Sequence, residues 1–216
     1  MEAPILHHLH QQHLWLSSQR SLFWEEQKAL IISDVHFGKT GHFRKSGIAV
    51  PQAVYKEDLQ RLISLLHYFK PERLIVVGDF FHSSANIELD LFKKWRADFA
   101  ALKVELIKGN HDILKDSWYS EVDIVVHHKD LLIGNFLFSH ERCFAENGVY
   151  VFCGHIHPGI IINGLGKQSL RFPCFYFAED HCILPAFSKF TGAVDMGLRN
   201  AANVYAIVEN TLVTIQ

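Results

Sequence analysis

The chain has 216 residues, 49% of them apolar and 20% charged, which excludes a disordered or collagen-like chain and fits one folded domain over residues 1–216. Lysine and arginine total 21 against 23 acidic residues, for a net charge of -2, so any contact with nucleic acid must come from a local basic patch.

In chain order, His13 to Leu16 and Ser21 to Trp24 read as two short strands joined by a polar turn. Ala29 to Ser33 is a third strand, and its lack of alternation predicts burial on both faces. Residues 38 to 50 form a loop rich in Gly, Lys, Arg and His, and Pro51 opens a helix running to about Phe69. Its apolar positions Leu59, Leu62, Ile63, Leu66 and Phe69 share one face. Arg73 to Val77 is a strand. Ile87 to about Ala101 is a second helix, with Leu89, Phe92, Trp95 and Phe99 inward, and Val104 to Ile107 is the next strand. Strand, helix, strand, helix, strand predicts a parallel run. Beyond about Val122 come short strands with polar turns: Ile124 to Val126, Leu131 to Ile133, Phe136 to Phe138, Val149 to Phe152, Phe175 to Phe177, Tyr205 to Val208 and Leu212 to Ile215. They predict a second, largely antiparallel sheet.

The cysteines Cys143, Cys153, Cys174 and Cys182 form no Cys-x-x-Cys pair and sit among apolar residues. They read as reduced core cysteines of a cytoplasmic protein and not as a zinc site. Met1 to His13 lacks the apolar stretch of a secretory signal, and no segment is long enough to cross a bilayer.

Five apolar segments each run into a potential metal ligand. Ile31-Ile32-Ser33 leads to Asp34 and His36, Leu74 to Gly78 leads to Asp79, and Leu106 to Gly109 leads to Asn110 and His111. Phe136 to Ser139 leads to His140, and Val151 to Gly154 leads to His155 and His157. A buried strand is a rigid post whose following residue points into a shared crevice. Carboxylate, carboxamide and imidazole donors suit a divalent ion, and the set suffices for two. Taken as extended backbone, Asp34-x-His36 and His155-x-His157 each turn both side chains to one side. A lone buried histidine is usually a hydrogen-bonded core residue; recurrence at five successive strand ends argues for a site.

These residues, in this order, resemble the calcineurin-like metallophosphoesterase signature over about residues 29 to 160. The resemblance implies an α/β fold, a four-layer α-β-β-α sandwich of two mixed sheets with flanking helices. It implies one ion held by Asp34, His36, Asp79 and His157, and a second held by Asp79, Asn110, His140 and His155, with Asp79 as the bridge. Many members carry Gly-Asp-x-x-Asp-Arg, whose second acid orients the catalytic imidazole. This chain has Gly78-Asp79-Phe80-Phe81-His82-Ser83, so His82 and Asp112 are the candidates to take that role for His111.

The run from His36 to Ile48 with Val50-Pro51, the segment Phe80 to Ser83, and Leu184 to Phe187 with Phe190-Thr191-Gly192 are similar to the bacterial DNA ligase-associated branch of that family. This narrower resemblance implies a nuclease of DNA repair, associated with an ATP-dependent DNA ligase and a DEXH-box helicase.

The expected activity is hydrolysis of a phosphodiester by a hydroxide bridging two divalent ions. Mn²⁺ is favoured by the resemblance, with Fe or Zn²⁺ as alternatives. His111 is expected to protonate the leaving oxygen. In the basic run Lys39, His42, Arg44 and Lys45, Arg44 is expected to bind substrate phosphate, and the alternative is a solvated loop. The substrate is a phosphate ester, with single-stranded DNA or DNA ends foremost. A phosphatase or diesterase for a small molecule or nucleotide, and a non-catalytic metal-site scaffold, are the competing readings. The histidines from His7 to His13 read as a surface cluster, and His127-His128 as a turn.

Overall fold

The structure, a computed structural model, describes residues 2–38, 53–82, 87–143, 148–166 and 168–216. Two mixed sheets face each other. The first has seven strands in sequence order: β1 (Ile5–Leu9), β2 (Gln12–Ser17), β3 (Ser21–Trp24), β4 (Ala29–Ser33), β5 (Arg73–Val77), β6 (Lys103–Ile107) and β7 (Ile124–His127). Pairing is antiparallel from β1 to β4 and parallel from β4 to β7.

The parallel half is parallel because helices carry the chain back between its strands. α1 (Ala53–Phe69), α2 (Ile87–Asp98) and α3 (Asp116–Glu121) are these crossovers. Leu62, Leu65 and Leu66 of α1, Leu89, Phe92 and Trp95 of α2 and Tyr119 of α3 bury against Leu30, Ile32, Leu74, Val76, Val104 and Leu106 of the sheet. α2 stops at Asp98, short of the predicted Ala101. There Phe99 N–H bonds the Arg96 carbonyl and Leu102 N–H bonds that of Phe99, so the chain tightens into turns before β6. α3 was not anticipated; six residues are too few to show a helical period.

The second sheet comprises β8 (Asp130–Ile133), β9 (Phe136–Ser139), β10 (Tyr150–Cys153), β11 (Pro158–Asn163), β12 (Ser169–Phe177), β13 (His181–Ile183), β14 (Val194–Asp195), β15 (Asn203–Val208) and β16 (Thr211–Thr214). Its hairpins are antiparallel as expected, but β10 runs parallel to both β9 and β13. Alternation assigns the faces. Ile31, Ile75 and Val77 of the first sheet meet Phe136, Phe138, Phe152, Phe175 and Phe177 of the second. The opposite face of the second sheet buries Val151, Cys153, Cys174, Ile183 and Val204. His7 belongs to the core and not to a surface cluster: its ring lies 4.1 Å from that of Phe177 and its Nδ1 is 3.0 Å from the Tyr205 hydroxyl.

Register places the site. Ser33 pairs with Val77 and Val77 with Ile107, so three parallel strands end in one row. Ser139 pairs with Cys153 and Cys153 with Ile183, giving a second row. The segment after β13 joins the two sheets, with Phe187 N–H on the Ser33 carbonyl at 2.7 Å and Ser188 N–H on the Asp34 carbonyl at 3.2 Å.

Candidate metal centre

The candidate ligands begin immediately after these rows. Asp34 and His36 follow β4, Asp79 follows β5, Asn110 and His111 follow β6, His140 follows β9, and His155 and His157 follow β10. Their backbones are not extended. Asp34, His36, Asp79, His155 and His157 all lie in the left-handed region, with φ of 51°, 52°, 50°, 65° and 53°. Extended geometry is therefore not what brings residues i and i+2 together; left-handed steps curl each strand end into the crevice. Such a step costs an L-residue about 1 kcal/mol, and a cluster of them marks a place where the surroundings enforce geometry for function.

Two donor groups result. Asp34, His36 and His157 offer atoms all within 4.8 Å of one another, and so do Asp79, His140 and His155. His157 Nε2 is 3.3 Å from Asp34 Oδ1. His140 Nε2 is 3.1 Å from Asn110 Oδ1 and 3.2 Å from His155 Nδ1, which adds Asn110 to the second group. Asp79 faces both: its Oδ2 lies 3.6 Å from His140 Nε2 and 4.0 Å from His36 Nε2. Its Oδ1 accepts the His111 N–H at 2.8 Å, which fixes the carboxylate plane.

Asp34 is fully buried and Asp79 is 2% exposed. Among the described residues their ion-pair partners are imidazoles only. Burial pushes the Asp34 carboxyl up, but the His157 hydrogen bond and charge and the Ser33 hydroxyl outweigh it and leave it below the usual carboxylate range. Two buried carboxylates ringed by imidazoles and a carboxamide, with no ammonium or guanidinium paired to them among the described residues, fit divalent cations. The surroundings leave no slack. A Cβ on Gly154 would strike Ser33 Oγ and Asp34 Oδ2, and one on Gly78, itself at φ +78°, would fall within the His140 ring.

The family model described as calcineurin-like phosphoesterase matches residues 28–119. The crystal structure of Pseudomonas putida nuclease MPE is 30% identical over 98% of this chain and 100% of that one, with a TM-score of 0.84. This chain belongs to the calcineurin-like phosphoesterase family. A phosphoesterase from E. coli, Yfce, aligns over 86% of this chain and 96% of its own at 11% identity and a TM-score of 0.46. No curated protein matches the sequence. As a calcineurin-like phosphoesterase the protein is a metal-dependent hydrolase, built as the expected α/β sandwich of two mixed sheets.

The family's missing second acid leaves a visible substitution. The His82 ring lies 4.4 Å from that of His111, tilted by 38°, and both stand 5.5 Å from His36. Asp112, the other candidate, is committed to backbone. Its Oδ1 accepts the N–H groups of Phe80 and Phe81 at 2.9 and 3.0 Å, and its Oδ2 accepts that of Gly109 at 2.9 Å. Burial, opposed by these bonds, raises its carboxyl to about 6. Asp112 thus ties the turn carrying Asn110 and His111 to the segment after Asp79. Arg44, with Lys39, His42 and Lys45, lies outside the described residues. Two arginines near the site, Arg20 and Arg171, carried no signal in the sequence, since each comes from an ordinary strand or turn far from any motif.

Proposed function

We propose that this protein is a phosphodiesterase acting on DNA, a repair nuclease that works with two divalent ions, Mn²⁺ foremost. The observation that carries the reading is the position of Asp79 Oδ2 between the two donor groups, within 4.0 Å of both His36 and His140. A carboxylate so placed would serve both groups: Asp34, His36 and His157 would hold one ion with it, and Asn110, His140 and His155 the other. Two such ions supply a water deprotonated near neutral pH and neutralise charge on a phosphoryl group.

The protein's own part is to hold and orient. His111 is the catalytic acid, delivering a proton to the leaving oxygen, and His82 sets the angle of its ring. Arg44 grips a non-bridging phosphate oxygen. The Pseudomonas putida nuclease, 30% identical over nearly the whole chain, supports a nucleic-acid substrate. The loop resemblance to the ligase-associated branch supports a functional association with an ATP-dependent DNA ligase and a DEXH-box helicase. The cysteines carry no disulfide, in keeping with a cytoplasmic setting. Among the described residues no helix is long and apolar enough to cross a membrane.

The net charge of -2 favours a second reading, a nucleotide or small-molecule esterase. Metal-stripped protein, with single ions added back, separates the two on bis-p-nitrophenyl phosphate, p-nitrophenyl phosphate and single-stranded DNA. The nuclease reading expects Mn²⁺ to restore cleavage of the diester and of DNA; turnover of the monoester alone would contradict it.

A further inference from the structure

His157 has two neighbourhoods. Its Nε2 sits in the first donor group, 3.3 Å from Asp34 Oδ1. The same residue lines a cleft of about 320 Å³ whose wall also carries Arg20, Arg171 and Thr191. That volume is at the low end of the ~300–1,000 Å³ usual for ligand clefts, enough for one phosphate and its sugar but not for a duplex.

Both guanidinium groups are fixed from one nitrogen. Arg20, in the β2–β3 turn at φ 62°, donates from Nη1 to the carbonyls of Ala186 at 3.1 Å and Ser188 at 2.7 Å. Arg171, on β12, donates from Nη1 to the Ala193 carbonyl at 2.9 Å. Each retains further N–H donors for a ligand. No carboxylate is among the described residues of the cleft wall. Asp58, whose charge reaches Arg20, is already paired with Arg61 at 2.9 Å. Burial, then the charge of Arg61, draws the Arg20 guanidinium down to about 10, against the opposing charge of Asp58.

A pair of anchored guanidinium forks suits phosphate oxygens. Sharing a wall with the metal centre places such an anion beside the reacting group. A phosphomonoester or phosphoprotein offers one phosphate; a nucleic-acid strand offers the next one along. We propose that this cleft binds the phosphate adjacent to the scissile one in a single-stranded nucleic acid, with Arg171 and Arg20 as its donors. The proposal rests on the phosphodiesterase reading above and adds to it what distinguishes a polynucleotide from a simple diester.

The test compares Arg171→Ala and Arg171→Lys with wild type in two assays. In the first, a fluorescent single-stranded oligonucleotide is titrated into metal-free protein at several salt concentrations. Arg171→Ala is expected to weaken binding about tenfold and to reduce the slope of log affinity against log salt by about 0.7, the share of one phosphate contact. Arg171→Lys should regain the slope but not the full affinity. In the second, with Mn²⁺ present, KM is measured for a dinucleoside monophosphate with and without one extra terminal phosphate, and for bis-p-nitrophenyl phosphate. Arg171→Ala should abolish the advantage of the extra phosphate and change the simple diester less than about twofold. Unchanged oligonucleotide affinity and salt slope would overturn the subsite, and so would an equal loss on all three substrates. Failure of the wild-type protein to hydrolyse bis-p-nitrophenyl phosphate would count against the phosphodiesterase reading instead, while the metal-free titration still reports on the cleft.

Discussion

The ring centroids of His82 and His111 lie 4.4 Å apart with the planes tilted by 38°, where the family pattern would set a carboxylate beside the histidine proposed as the acid. His82 is held there by its own N–H on the Phe37 carbonyl at 2.7 Å, next to the bridge between Phe37 and Phe81. On the proposed reading, His82 positions the ring of His111. His82→Ala is expected to lower kcat about ten- to a hundredfold while KM and bound metal stay at wild-type values, since a misplaced acid costs rate and not binding. Asp112→Asn should behave differently. Loss of a charged acceptor for three backbone N–H groups costs about 2 kcal/mol of stability, read as a lower thermal midpoint. A kcat loss without a stability loss in Asp112→Asn would reverse these assignments.

Gly154 is a tight point between the two sheets. A methyl group there meets Ser33 Oγ and Asp34 Oδ2, both buried. Gly154→Ala is expected to displace the Asp34 carboxylate, remove at least one bound ion per chain and cost about 2 kcal/mol, or roughly 4–8 °C of thermal midpoint. Full metal content in a folded Gly154→Ala protein would show that Asp34 has room to move.

The third expectation concerns acid stability, away from the metal centre. Burial, then the neighbouring charge of His8, lowers the His7 imidazole to about 4. Its folded value lies below the ordinary 6.5, so the unfolded chain binds the proton more readily. The stability His7 contributes is complete above pH 6.5 and is lost as pH falls towards 4, by about 2 kcal/mol. His7→Leu removes the Tyr205 contact at every pH but also removes this slope. Thermal midpoints should therefore favour wild type at pH 8 and converge with the variant at pH 4.5. A constant gap would contradict the assignment.

The candidate ligands were legible in the sequence because each stands shortly after a strand that register aligns with its neighbours, as Ser33, Val77 and Ile107 do. Strands β4 and β5 matched their predicted bounds because buried apolar runs between turn residues leave little freedom. β1 was missed: its turn uses His10 and Gln11, at φ of 49° and 64°, where Asn-Gly would have announced a hairpin. β11 was missed because it opens on Pro158 and Gly159, residues unfavourable in a strand, although Pro158 pairs with β14 and Gly159 with both β14 and β12.

Local geometry was less legible than residue identity. The left-handed φ at Asp34, His36, Asp79, His155 and His157 leaves no trace in residue pattern, because it is imposed by packing between two sheets distant in sequence. The role of Asp112 was equally hidden, since a carboxylate that binds backbone N–H groups looks the same in sequence as one that orients a histidine. Arg20 and Arg171 reach their cleft from a turn and a strand about 150 residues apart, a relation only the fold reveals.

The central claim is that Asp79 bridges two ions held by Asp34, His36, Asn110, His140, His155 and His157. Anomalous diffraction from a crystal grown with Mn²⁺ tests it most directly. The account predicts two manganese peaks, one on either side of the Asp79 carboxylate, and loss of both in Asp79→Ala. A single peak, or peaks away from Asp79, would contradict it.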